Sequence, residues 1–203
     1  MLYMKKIKME SQNKYIGDDK FQNMLNHYGC TTPLNVIKMR FTGAVCSPNL
    51  DLRPTDVISS FWPKGQEPRL QTKEEADLFF KFFMGLWDEI FQQVKNNKIS
   101  LSIHKKDDRA SIIEQCNNRF DEVELGFIEG FWGGKQDINI PAYIAELLNS
   151  LSDLAKLYQT LAHRAQIENN IKNVIEVYRH TDKMVNRSIA FIIENFVLPR
   201  MNG

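Results

Sequence analysis

Glu176 and His180 stand one helical turn apart, with His163 upstream, and carboxylates and imidazoles offered from facing helices are the usual makings of a metal site in a helical bundle. The di-iron bundles use Glu-x-x-His, however, whereas this pair is Glu-x-x-x-His, the spacing of an ordinary exposed i, i+4 contact. His27 and His104 have no acidic companion at ligand spacing. Cys30, Cys46 and Cys116 are far apart and form no Cys-x-x-Cys pair, so they read as reduced thiols buried as small hydrophobes. No catalytic residue, metal site or cofactor follows, and no stoichiometric zinc or iron is expected.

Nucleophile and phosphate chemistry are equally thin. Gly133-Gly134-Lys135 is followed by Gln136 where a phosphate loop needs Ser or Thr, and Glu129 stands where that loop needs Gly. No Gly-x-Ser-x-Gly elbow occurs. Gly126 and Gly130, four residues apart, bare one face of a helix; close helix packing is the expectation and a ligand groove over the exposed backbone the alternative. Glu129 between them reads as a solvated carboxylate. Arg109, Arg119, Lys135, Arg164, Lys172, Arg179, Lys183 and Arg187 are interleaved with acids, which is the pattern of a solvated face. With a formal net charge of +1 there is no excess to hold phosphates, so nucleic acid is not an expected partner.

The elements that must position these residues are helical. Phe21, Met24, Leu25 and Tyr28 lie at i, i+3, i+4, i+7 behind Asp18, and Gly29 is a stop. Thr32-Pro33 restarts a helix with Leu34, Ile37, Phe41, Ala44 and Val45 on its buried face, ended by Ser47-Pro48-Asn49. Pro54 and Pro63 bracket a short turn of helix. Thr72 and Glu75 form a capping box that opens the most aromatic helix. Ala76, Phe79, Phe80, Phe83, Trp87, Ile90, Phe91 and Val94 make its first stripe, and Leu78, Phe82 and Leu86 make a second. One packing face needs only about 100° of helix surface, so this helix is either central or half of a subunit interface.

Lys98–His104 alternates polar and apolar, and Ala110–Gln115 is its one nearby partner for a small hairpin. Helix returns over Asn118–Trp132 and closes at Gly133-Gly134. Pro141 starts another, which Ser150 or Ser152 could divide, and a last one runs over Glu168–Val197 until Pro199. The predicted fold is all-α, a multi-helix bundle of about seven or eight helices with at most one hairpin near residues 98–115. Residues 1–16 read as a loose arm, 17–134 as one helical domain and 135–203 as a helical extension packed on it. No run of about 18 apolar residues and no apolar leader occurs, so a cytoplasmic protein without a membrane anchor is expected.

Two segments resemble the YgfB/YecA family of bacterial proteins, uncharacterised protein family 0149. The first is FTGAVCSPNLDLRPTDVISSFWP with the EEADLFFKFFMGLWDEIF helix, similar to that family's small-residue helix end, Pro, Trp and long helix. The second is Leu125-Gly126-Phe127-Ile128-Glu129-Gly130-Phe131-Trp132, similar to its Gly-Phe-x-x-Gly helix. The resemblance covers roughly residues 35–134 and implies an all-helical fold with no assigned catalytic activity. The Cys-rich zinc tail of many YecA-type members is missing, since no cysteine follows Cys116.

The expected function is a non-enzymatic protein-interaction module of unknown partner, a homodimer joined through Leu78, Phe82 and Leu86. The alternative is a small-ligand- or metal-binding helical protein with a pocket between the Gly126/Gly130 helix and the C-terminal helices.

Overall fold

The computed structural model describes residues 14–49, 51–101, 106–135 and 138–202. Most of the predicted arm and part of the first half of the predicted hairpin, His104 included, lie outside them. Within them the chain is all-α: α1 (Asp18–His27), α2 (Leu34–Cys46), α3 (Pro54–Ser59), α4 (Lys73–Lys95), α5 (Arg109–Phe120), α6 (Glu129–Trp132), α7 (Ala142–Ile167), α8 (Lys172–Ile192) and α9 (Leu198–Asn202). A π-helical segment, Asp121–Ile128, joins α5 to α6, and a second, Ile193–Val197, joins α8 to α9. Seven continuous helices result among the described residues, and no strand. Ala110–Gln115, the hairpin's proposed second half, belongs to α5, because Asp108 accepts a hydrogen bond from Ser111 N (3.0 Å) and caps a helix where a turn was expected.

The predicted boundaries fail in two further places, each for a local reason. Ser150 and Ser152 leave α7 whole: Ser150 Oγ donates back to the Glu146 carbonyl (2.9 Å), an i−4 bond that a helix tolerates, and Ser152 Oγ donates across to Glu124 (2.8 Å), away from its own backbone. Pro199 does not stop the last helix, which continues to Asn202. The π turn just before it widens the backbone where the proline ring would otherwise meet the preceding carbonyl.

α2, rather than α4, is the central helix. Leu34, Val36, Ile37, Met39, Phe41, Thr42, Gly43, Ala44 and Cys46 are all buried, because α4 covers one side and the α5–α6 helix the other. Against α4 lies an aromatic cluster in which Phe83 meets Phe21 at 5.1 Å and Phe79 at 4.9 Å between ring centroids. Trp62 Nε1 donates to the Tyr28 carbonyl (3.0 Å) and Thr32 Oγ1 to the Phe61 carbonyl (2.8 Å), which ties the segment after α3 onto α1 and α2. α4 starts at Thr72, whose side chain accepts from Glu75 N (3.1 Å). Glu75 reaches back one residue further than a capping box does, to Gln71 N (2.6 Å).

α7 packs on α5 and its π segment, α8 packs on α7, and one hydrophobic core runs through residues before and after 135. Arg109 donates to the Ala165 and Asn169 carbonyls at the C-terminal end of α7. Arg200 Nη2 donates to the Cys46 carbonyl (2.9 Å), placing a cation at the C-terminus of α2. No helix among the described residues is long and apolar enough to cross a membrane.

Candidate functional site

The site grows from the crossing of α2 over the α5–α6 helix, which three glycines permit. A Cβ at Gly130 would run into the Arg40 carbonyl oxygen and lie 2.9 Å from its carbon. A Cβ at Gly43 would run into the Phe127 carbonyl oxygen and lie 2.7 Å from Phe131 N, and one at Gly126 would lie 2.7 Å from Met39 Cβ. Non-bonded carbons sit best about 3.5–4.0 Å apart, so only glycine lets these backbones approach this closely. Gly126 and Gly130 therefore sit where another helix's backbone or Cβ comes close. Gly43 is the partner missed in the sequence, although it stands in a small-residue run, Thr42-Gly43-Ala44.

The close crossing brings Arg40 to the edge of a cleft. Its Nε donates to the Leu125 carbonyl (2.8 Å), inside the π segment, where the widened turn leaves carbonyls badly placed for their usual partners. Nη1 donates to the Ser60 carbonyl and Oγ (both 3.1 Å), and Nη2 to Glu129 Oε2 (2.7 Å). Burial works against the Arg40 charge and outweighs the support from Glu129, lowering its pKa, yet guanidinium stays charged. One side chain thus joins α2, the end of α3 and α6. Glu129, read from sequence as a solvated carboxylate, is half exposed and holds one side of this clamp.

Below the clamp opens a cleft of about 800 Å³, bounded by the end of α3, the π segment, α6 and the first half of α7. Leu52, Val57, Ile128, Trp132 and Leu148 supply apolar surface. Glu124, Glu129, Lys135, Asn149 and Ser152 supply polar groups, and Gly130 bares backbone to it. Gly133, at φ 54°, ends α6 and sits against the Leu52 side chain, closing one end. Lys135 Nζ pairs with Asp51 and Asn49 (3.2 Å each), so it faces the loop after α2.

The predicted interface stripe does not form one surface. Leu86 is buried in the core of its own chain, Phe82 is half buried against that core, and only Leu78 is exposed. Phe80, placed on the buried stripe by its spacing, is exposed as well. Glu176 and His180 lie exposed on α8 beside Lys172, Arg179 and Lys183. Among the described residues no group of three or more His, Cys, Asp and Glu could hold a metal ion. The three thiols are buried and unbridged. Burial pushes Cys46 and Cys116 up to about 12, so neither is a nucleophile at neutral pH.

Arg119 overturns its sequence reading: it belongs to no solvated face and is fully buried. It pairs with the buried Glu122 and forks onto Asp182 of α8, Nε to Oδ1 at 3.1 Å and Nη2 to Oδ2 at 3.2 Å. Tyr158 of α7 donates to Asp182 Oδ1 (2.6 Å). Burial raises the Glu122 carboxyl despite the Arg119 charge beside it. A sequence signal existed: Arg119 continues the helical stripe Ile112, Cys116, Val123, all buried. None of Arg119, Glu122, Tyr158 and Asp182 lines the cleft, and their part is to lock α5, α7 and α8 together.

No family model, curated protein or solved structure matches the chain.

Proposed function

We propose that the protein is a non-enzymatic binding protein whose cleft takes a small amphipathic ligand. The observation that carries this reading is the cleft itself: about 800 Å³, inside the roughly 300–1,000 Å³ range of ligand sites, with an apolar floor and polar groups converging from four elements. All three thiols are buried and none lines the cleft. The YgfB/YecA resemblance of residues 35–134 carries no assigned reaction and agrees with this reading. A titration with the neutral fluorophore N-phenyl-1-naphthylamine tests it. One saturable site is expected, lost in Asn149→Trp, which fills the mouth from an exposed position of α7. Absent or unsaturable binding, or an Asn149→Trp variant that binds normally, overturns the reading.

Self-association is a second reading, favoured by two large apolar side chains, Leu78 and Phe80, each left exposed near the start of α4. Light scattering at tens of micromolar is expected to show a dimer that Leu78→Glu dissociates. A monomeric wild type rules it out.

A further inference from the structure

The charge of the cleft says more than its shape. Asp56, Glu124 and Glu129 line it against two cations, Arg40 and Lys135. Both cations are already occupied by the protein. Arg40 is spread over Leu125, Ser60 and Glu129, and Lys135 is drawn to Asp51 and Asn49. Glu124 and Asp56 form no ion pair among the described residues; Glu124 uses one oxygen for Ser152 Oγ, and Asp56 uses one for Arg53 N. Glu129 likewise gives Arg40 one oxygen. Each carboxylate keeps a second oxygen for a ligand, and the low-dielectric walls concentrate their negative field in the cleft.

An aromatic ring sits among them. Glu124, Ile128, Glu129 and Trp132 share one face of the α5–α6 helix, because the wide π turn aligns residues four and five apart before the α-spacing resumes. Trp132 lines the cleft and is the ring type that attracts organic cations most strongly. Carboxylates and an indole beside an apolar floor suit one ligand chemistry.

Resting on the binding reading above, we infer that the cleft takes an amphipathic organic cation, its amine or quaternary ammonium headgroup at Trp132, Glu124 and Glu129 and its apolar body over Val57, Ile128 and Leu148. An alkyl carboxylate would set its charge against Asp56 and Glu124, the two acids of the cleft that have no ion pair among the described residues. An alcohol of equal length gains the floor but not the field.

The experiment displaces N-phenyl-1-naphthylamine from the full chain with decyltrimethylammonium and decanoate, each below its micelle concentration, and with decanol below its solubility limit. The cation is expected to compete at about tenfold lower concentration than decanol, the ratio a gain of about 1.4 kcal/mol produces, and decanoate is expected to compete worst. In Glu124→Gln, and separately in Trp132→Leu, the ratio of cation to decanol is expected to fall toward parity. Decanoate competing as well as the cation, or a ratio unmoved in both variants, overturns the inference and leaves the cleft reading standing. A fluorophore that never binds saturably, or that none of the three displaces, sinks the cleft reading and this inference with it.

Discussion

Gly130→Ala is the sharpest perturbation, because local propensity and tertiary packing predict opposite signs. Replacing a helical glycine by alanine stabilises an isolated helix by up to about 1 kcal/mol. In the fold, the added carbon meets the backbone of Arg40, 2.9 Å from its carbonyl carbon and 3.0 Å from its Cα, and a backbone cannot rotate away as a side-chain tip can. Overpacking of this kind costs about 1–3 kcal/mol, and the upper end applies because every obstructing atom is main chain. The net expectation is a loss of about 2 kcal/mol, or about 4–8 °C in Tm for a chain of this size. Alanine is thus not the mild substitution that spacing alone suggests, and Gly130→Leu is expected to cost more. Gly43→Ala opens the same crossing from the other side, through Phe127 and Phe131, so the double variant is expected to lose less than the two single losses together. Urea and thermal unfolding followed by circular dichroism measure all four variants. An unchanged or raised Tm for Gly130→Ala would refute the close approach, and additive losses would refute its being one shared contact.

Arg119→Met leaves Glu122 and Asp182 without their guanidinium and is expected to cost about 3–5 kcal/mol in urea unfolding at neutral pH. A loss under about 1 kcal/mol would mean that water reaches the network. The Glu122 carboxyl titrates above its ordinary value of 4.5 in the folded chain, so its contribution to stability is complete below that value and is lost as pH rises through the folded pKa. Wild type is therefore expected to lose stability relative to Glu122→Gln as pH is raised from about 4 to 7, measured as paired urea curves; parallel profiles contradict this. Leu86→Ala is expected to destabilise by about 2–5 kcal/mol and Leu78→Ala by no more than about 0.5 kcal/mol, and equal losses in thermal unfolding would show that the stripe is a single surface after all.

Helices are legible in this sequence because the evidence for them is local. Apolar residues at three- and four-residue spacing, the Thr72 cap and the Gly29 and Gly133 stops are set by backbone geometry within a few residues, and each stands where the pattern puts it. The Gly126/Gly130 pair announces a close approach for the same reason, since a side chain that is missing can be read without knowing what fills the space. What fills it could not be read: Arg40 lies 90 positions before Gly130 in the chain and nothing local links them. Burial of Arg119 depends on Asp182, 63 positions away, and on Tyr158, so a cation looked like surface until its partners were brought to it. Leu78, Phe80 and Leu86 share a helix and differ only in what packs over them, which periodicity cannot decide. The cleft is tertiary throughout, a volume left between α3, α6 and α7 and held open by the Arg40 clamp. Sequence determines elements because their energetics are short-range; the site belongs to the fold because every wall of it comes from a different stretch of chain.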